Sequence, residues 1–374
     1  MSSNKSDLQP VSFSSQPVAD HASSLLAMDQ LLDGSVHTDR THKMLYAQDA
    51  SVYQEEPTGV VFPRTLEDLQ RVVQMATQLN LSLIPRAAGT SLAGQCVGDG
   101  LVVDTGRYMN QILELNVEER WVRVQPGVIL DDLNRFLAPH GLFFGPDTST
   151  ASRCMIGGMV GNNSCGSHSI LYGTTRDHVL ELEVVFMDGV VEGISPWDDS
   201  TLNKRLQVGD ALGRGLAKID AILKEHKDLI DTHYPRKDVV RRNTGYALDE
   251  LLQMSPYTEG GAPFSLNRLL CGSEGTLCLT SEIKLNLVDK PTHRAVVCAH
   301  FNSLEESLRA TVIAVKHDPA AVELMDRRIM DLAQGNIEQR RNSFFVEGSP
   351  EAILAVEFYT QSQQELDEKC AALI

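Results

Sequence analysis

The sequence predicts an α+β fold divided into at least two domains, and three observations predict it. Short apolar strands alternate with amphipathic helices from about Thr58 onwards. Runs rich in Gly, Ser, Thr and Asn, at 85–91, 145–166 and 272–276, interrupt that alternation beside strands. After Pro291 the order of elements changes to β-α-β-α-β-α. A length of 374 residues agrees with two or three domains at roughly 100–200 residues each. Apolar residues make up 42% and charged residues 22%, which excludes a disordered, collagen-like or coiled-coil chain.

Taken in order, Met1 to Asp20 is rich in Ser, Gln and Pro and lacks the apolar stretch of a signal peptide. We read 1–45 as a partly flexible lead-in, although Ser24 to Leu32 has helical spacing; Thr38 to Gln48 is polar. Val60-Val61-Phe62 is a strand ended by Pro63. Thr65-x-x-Asp68 resembles a capping box with Asp in place of Glu. Leu66, Leu69, Val72, Val73, Ala76 and Leu79 then form one helix face. Ser82 to Pro85 and Leu101 to Asp104 are strands. Ile112 to Val128 holds two more, the second alternating through Trp121-Val122-Arg123-Val124-Gln125. Leu130 to Leu137 is a short helix. Val179 to Met187 is a strand closed by the hairpin signal Asp188-Gly189. Leu202 to His226 is broadly helical, and Leu277 to Val288 is a long alternating strand.

Pro291 marks a boundary between a domain at 46–290 and another at 291–374. In the second, Ala295 to Phe301 is a strand and Ser303-x-x-Glu306 caps a helix to Lys316. Val322 to Met325 and Ile353 to Phe358 are strands, and a last helix starts near Gln361. That series reads as part of a ferredoxin-like layer with no closing element.

The net charge of −17 makes nucleic acid and anionic lipid headgroups poor candidate partners. No run of about 18 apolar residues occurs, so no transmembrane helix is expected. The seven cysteines are odd in number and form no C-x-x-C pair, which argues against a disulfide framework, a zinc site or an iron–sulfur cluster. Reduced thiols point to the cytoplasm.

Ile84-Pro85-Arg86-Ala87-Ala88-Gly89-Thr90-Ser91 follows an apolar strand, and its small side chains let consecutive N–H groups converge on an anion. It is neither G-x-G-x-x-G nor a P-loop, and read alone such a loop is usually just a turn. Gly145 to Ser152, with Gly157-Gly158 and Gly161 to Gly166, can lie along an extended polar ligand or form a long surface loop. Gly272-Ser273-Glu274-Gly275-Thr276 precedes the long strand and does not fit the G-x-S-x-G elbow of serine hydrolases.

In this order and spacing, the three runs resemble the FAD-binding domain of the vanillyl-alcohol oxidase superfamily, also called PCMH-type. The resemblance spans Ser51 to Asp289 and is greatest to the FAD-linked D-2-hydroxyacid dehydrogenases acting on D-lactate, glycolate or D-2-hydroxyglutarate. In particular the chain is similar to the N-terminal part of large bacterial members that join an FAD-linked oxidase to an iron–sulfur module. The resemblance implies a two-subdomain FAD fold, with the cofactor between an α/β layer and a mixed sheet, followed by an incomplete ferredoxin-like cap.

It further implies that Pro85, Arg86, Ala87, Ala88, Gly89, Thr90 and Ser91 cradle the FAD pyrophosphate. The family motif is typically Pro-Arg-Gly-Gly-Gly-Thr, so Ala87 and Ala88 replace glycines. They would be strained only where φ > 0 is required. With no lysine in the loop, backbone dipoles and Arg86 would neutralise the pyrophosphate. Pro146, Asp147, Thr148, Thr150 and Ser152, with Gly157, Gly158, Asn162, Ser164 and Gly166, would line pyrophosphate, ribose and flavin. Glu274, Gly275 and Thr276, and the strand through Ile283, would pass the adenine. Tyr172 to His178 matches a further family segment.

The implied chemistry is oxidation of a small D-2-hydroxy acid by hydride transfer to flavin N5, with electrons passed to a carrier or an iron–sulfur module. For the substrate carboxylate, Arg241-Arg242-Asn243-Thr244-Gly245-Tyr246 matches a family segment and makes Arg242 and Tyr246 the candidates; read alone it is a basic surface turn. In the family a His and Glu set, metal-binding in several members, comes from further downstream in the cap. Here His168, His178, His293, His300 and His317 do not fill that role. His37 and His42, at i, i+5, do not share a helix face, and no metal site is assigned. We therefore expect an incomplete catalytic centre and a fragment of a larger flavoenzyme. Cys96 and Cys165 match no pattern for covalent flavin. The alternatives are a sugar or alcohol oxidase of the same superfamily and a non-catalytic FAD-binding subunit of a complex. A flavin reductase using NADPH lacks a second nucleotide fingerprint.

Overall fold

The computed structural model describes residues 21–374 apart from 237, 240, 243 and 244, so the lead-in read over Met1 to Asp20 lies outside the described residues. β1 (Ser35–His37), β2 (Gly59–Phe62), β3 (Leu83–Arg86) and β4 (Leu101–Asp104) form one sheet in the order β1-β2-β4-β3. β2, β4 and β3 are parallel, and every residue of β2 and β4 is buried, as unbroken apolar runs in a parallel sheet require. The helix Leu66–Leu79 links β2 to β3 and sets Leu69, Val72 and Val73 against Val61, Leu101 and Val103. Burial of each such side chain is worth about 1.5–3 kcal/mol.

Thr65 caps this helix, its Oγ1 accepting the Asp68 N–H at 3.1 Å. Asp68 does not complete a capping box. Its buried carboxylate instead accepts the N–H groups of Arg64 (2.9 Å), Asp33 (2.9 Å) and Gly34 (3.0 Å), which ties the preceding segment to the helix. In the polar stretch before β2, Asp39 caps an unanticipated helix, Arg40–Tyr46.

A second sheet takes β5 (Ile112–Asn116), β6 (Trp121–Val124), β8 (Val179–Val185), β9 (Val191–Ile194) and β10 (Leu279–Asn286) in the antiparallel order β5-β6-β10-β8-β9. Between them, β7 (Leu142–Phe143) pairs with β11 (Val288–Asp289). β10 alternates buried and half-buried residues, so its buried side joins Val122, Val124, Leu182 and the helix Leu130–Leu137 in the largest core. The expected single helix over Leu202 to His226 is two, Asp199–Leu206 and Ala211–Glu225. Asp210 restarts the second by accepting the Gly213 N–H at 2.7 Å.

The third sheet is β12 (His293–Phe301), β13 (Ala321–Asp326) and β14 (Ala352–Thr360), antiparallel in the order β12-β14-β13. The helices Leu304–Ala314 and Gln363–Leu373 cover the face carrying Ala295, Val297, Leu354, Val356 and Phe358. Arg294, Glu357 and Tyr359 alternate with those residues and so lie on the other face. Glu357 and Tyr359 meet the second sheet's domain there.

Candidate functional site

The three small-residue runs converge on one cleft because each occupies a position that only a small residue tolerates. The first leaves the end of β3. Gly89 has φ 64°, whereas Ala87 and Ala88 are not in the left-handed region, so alanine in place of glycine there carries no strain. The second run places Gly158 against the first: a Cβ on Gly158 would sit 3.3 Å from Ala87 Cβ. The third reaches both. Gly272 N–H donates to Val160 O and Glu274 N–H to Gly161 O, each at 2.9 Å. Gly275 has φ 73°, and a Cβ there would meet Pro85 Cγ at 2.6 Å.

The cleft between them is lined by Pro85, Arg86, Ala87, Ala88, Gly89, Thr90, Ser91, Thr148, Thr150, Gly157, Gly158, Asn162, Ser164, Glu274 and Gly275, all named from the sequence. Among the described residues, none of the N–H groups from Ala87 to Ser91 donates to a protein acceptor. They form a row of unspent donors. Thr148 Oγ1 lies 3.2 Å from Thr150 Oγ1 and 3.2 Å from Cys154 Sγ, and burial pushes the Cys154 thiol up.

Other expected residues point away from the cleft or lie outside it. The Arg86 guanidinium turns under its own loop, donating to Gln48 O at 2.8 Å and stacking 4.9 Å from the Tyr46 ring. It braces the loop instead of facing the cleft's open side. Ile283 is fully buried opposite Val124 and Leu182, on the core side of β10. Ser152 is exposed, and Gly166 packs on Asp147. Thr276 Oγ1 donates to Ser273 O at 2.6 Å and lies 2.7 Å from Tyr246 Oη, which puts Tyr246 against the third run. Arg242 is not brought to the cleft. It is paired with Asp249 and, at 2.6 Å, with Glu250. Burial raises the Asp249 carboxyl even against that guanidinium.

Sequence reasoning missed Gln95, whose Oε1 is buried on the cleft wall without a hydrogen-bond partner. Its position four residues after Ser91, in the same run of small residues, was the available signal. It also undervalued His168. That imidazole lies with Nδ1 2.7 Å from Asp147 Oδ2, and with Nε2 3.0 Å from Glu357 Oε2 and 2.8 Å from Tyr359 Oη. The Tyr359 ring stacks on it at 5.0 Å. Hydrogen bonds to Asp147 and then Glu357 raise the imidazole to about 9, so it is an imidazolium at neutral pH. The structure also gathers His37, Asp39 and His42. The two rings are stacked, 3.8 Å apart and 20° from parallel.

Comparison with known proteins decides the family. The FAD binding domain family matches residues 57–195, and the C-terminal domain of FAD linked oxidases matches residues 290–374. D-2-hydroxyglutarate dehydrogenase of Pseudomonas putida is 36% identical over 91% of this chain. The chain belongs to the FAD-linked oxidase family. Glycolate oxidase subunit GlcD of Bacillus subtilis is 29% identical over 76% of the chain. The chain spans 34% of the P. putida protein's length and 49% of the B. subtilis one. An alkyldihydroxyacetonephosphate synthase structure shares the fold at a TM-score of 0.62 and 16% identity, covering 90% of this chain and 55% of that one.

The cleft fits FAD, the cofactor named by the matching domain family. A Cβ on Gly161 would find only Glu274 Cα, at 3.9 Å, so the cleft is kept open there by the missing side chain. The free amide row suits a pyrophosphate, and the orphaned Gln95 Oε1 suits a ring N–H donor.

Proposed function

We propose that this chain is the FAD-binding and cap portion of an enzyme that oxidises a D-2-hydroxy acid, with 46–290 holding the cofactor and 291–374 facing the substrate. What carries the reading is the joining of three distant small-residue runs into one donor-rich cleft, in a chain similar to D-2-hydroxyglutarate dehydrogenases. Bound FAD supplies a two-electron acceptor for a hydride from the carbinol carbon. The amides of Ala87 to Ser91 hold the pyrophosphate. The hydroxyls of Thr148 and Thr150 orient the groups that follow it along the cleft. Tyr246, at the rim on Thr276, is the remaining candidate of the two for contacting substrate. Electrons pass on to a carrier or an iron–sulfur module, in a cytoplasmic setting that leaves the cysteines without disulfides.

A second reading, an FAD module whose partner completes the catalytic centre, is favoured by one observation. The Arg242 guanidinium is already occupied by Asp249 and Glu250. Anaerobic addition of D-2-hydroxyglutarate, D-lactate and glycolate to the FAD-loaded chain separates the two. Bleaching of the flavin absorbance by one of them supports the dehydrogenase, and a yellow protein that none of them bleaches supports the module.

A further inference from the structure

His168 belongs to the loop after the helix Ile156–Asn162, yet its partners come from two distant places in the chain. Asp147 directly precedes Thr148 on the cleft wall. Glu357 and Tyr359 stand on β14, on the face opposite the helices Leu304–Ala314 and Gln363–Leu373. The side chain of His168 is 16% exposed and that of Glu357 21%, so the bond between them is largely shielded from water. One imidazole therefore connects the wall of the cofactor cleft to the sheet that faces it.

We propose that His168 is a positioning residue, an ionic latch that seats the cap sheet on the cofactor-binding loop and fixes the gap in which substrate is held. The proposal rests on the function proposed above, but its physical content does not require turnover. The titratable groups facing the imidazole are Asp147 from the cofactor domain and Glu357 and Tyr359 from the cap, with the Tyr172 ring packed on Tyr359. Arg294, opposite Tyr359 on β12, acts on Glu357 and Tyr359.

Bonds to His168 hold Glu357 below the usual carboxylate range, and they do the same for Asp147 although its burial pushes the other way. Burial and then Glu357 push the Tyr359 hydroxyl up, so it stays protonated as a donor. The sign of the pH dependence follows. The imidazole is raised from 6.5 to about 9 when latched, so its contribution is complete below 6.5 and is lost as pH climbs through about 9. The two carboxylates are lowered, so their contribution is lost only as pH falls through the acid range.

The test is hydrogen exchange of the full chain, corrected for intrinsic rates, followed at 164–172 and 352–360 across the pH range, with FAD affinity measured alongside. In the parent protein the corrected protection of both segments should hold at neutral pH and fall about tenfold as pH passes about 9. His168→Gln and Glu357→Gln should each lower protection about tenfold at neutral pH and remove the alkaline transition, and the double variant should be no worse than either single. FAD affinity should change less than about threefold in each, since neither residue lines the cleft. Unchanged protection in both single variants, additive losses, or an alkaline transition that survives in His168→Gln would overturn the latch. Failure of the parent chain to bind FAD would instead sink the proposed function and leave the exchange result standing.

Discussion

Gly275 and Arg242 show how far single positions decide this site. Gly275 combines a left-handed backbone, φ 73°, with a Cβ position 2.6 Å from Pro85 Cγ. Gly275→Ala should therefore cost about 1–2 kcal/mol in urea unfolding and weaken FAD binding about tenfold, because it pushes the third run off the first. Gly141, at φ 69° with open space around it, is the control. Gly141→Ala should show the backbone cost and leave FAD affinity unchanged. Arg242→Ala leaves Asp249 without its cation in a largely buried setting and Glu250 with only Arg268, at 3.8 Å. It should cost about 3 kcal/mol while FAD affinity holds, and a fall in FAD affinity with unchanged stability would contradict the structural role. The resemblance marked both residues as candidates for the site. It could not show that Arg242 has two acidic partners a few residues on, since which carboxylates a guanidinium meets depends on how the turn folds back.

At the scale of elements, legibility followed periodicity. β4 and the helix Leu130–Leu137 were read to the residue. Both are bounded by changes of hydrophobic pattern that one face of a core imposes. The helix Arg40–Tyr46 was missed because none of its residues is buried and only the Asp39 cap marks it. The break between Leu206 and Ala211 was missed because the apolar spacing of the two helices nearly continues across it. Asp68 looked like one half of a capping box, and its actual partners lie more than thirty residues upstream as well as next door. Asp68→Ala removes the shared acceptor of three part-buried N–H groups. It should lower stability by about 3 kcal/mol in urea unfolding, against about 1 kcal/mol for Thr65→Ala, which removes an ordinary cap.

For the whole molecule, the small-residue runs could be named from the sequence because each is a departure from core composition. Their meeting could not be derived from spacing, because the contacts Gly158–Ala87 and Gly275–Pro85 span long stretches of chain. The resemblance supplied that step, and the folded chain gives its physical reason. The His168 bridge to Glu357, across 189 residues, left no local trace at all. An isolated histidine, a glutamate in an alternating strand and a tyrosine two positions on are each unremarkable in a sequence.

The central claim is that the cleft between the three runs holds FAD. Equilibrium titration of the cofactor-stripped chain with FAD, read by quenching of flavin fluorescence, tests it most directly when the parent is compared with Gly275→Ala. Saturable binding of one FAD per chain that weakens about tenfold in the variant is the predicted result. A folded parent chain that leaves flavin fluorescence unchanged, or binding equally tight in both proteins, would contradict it.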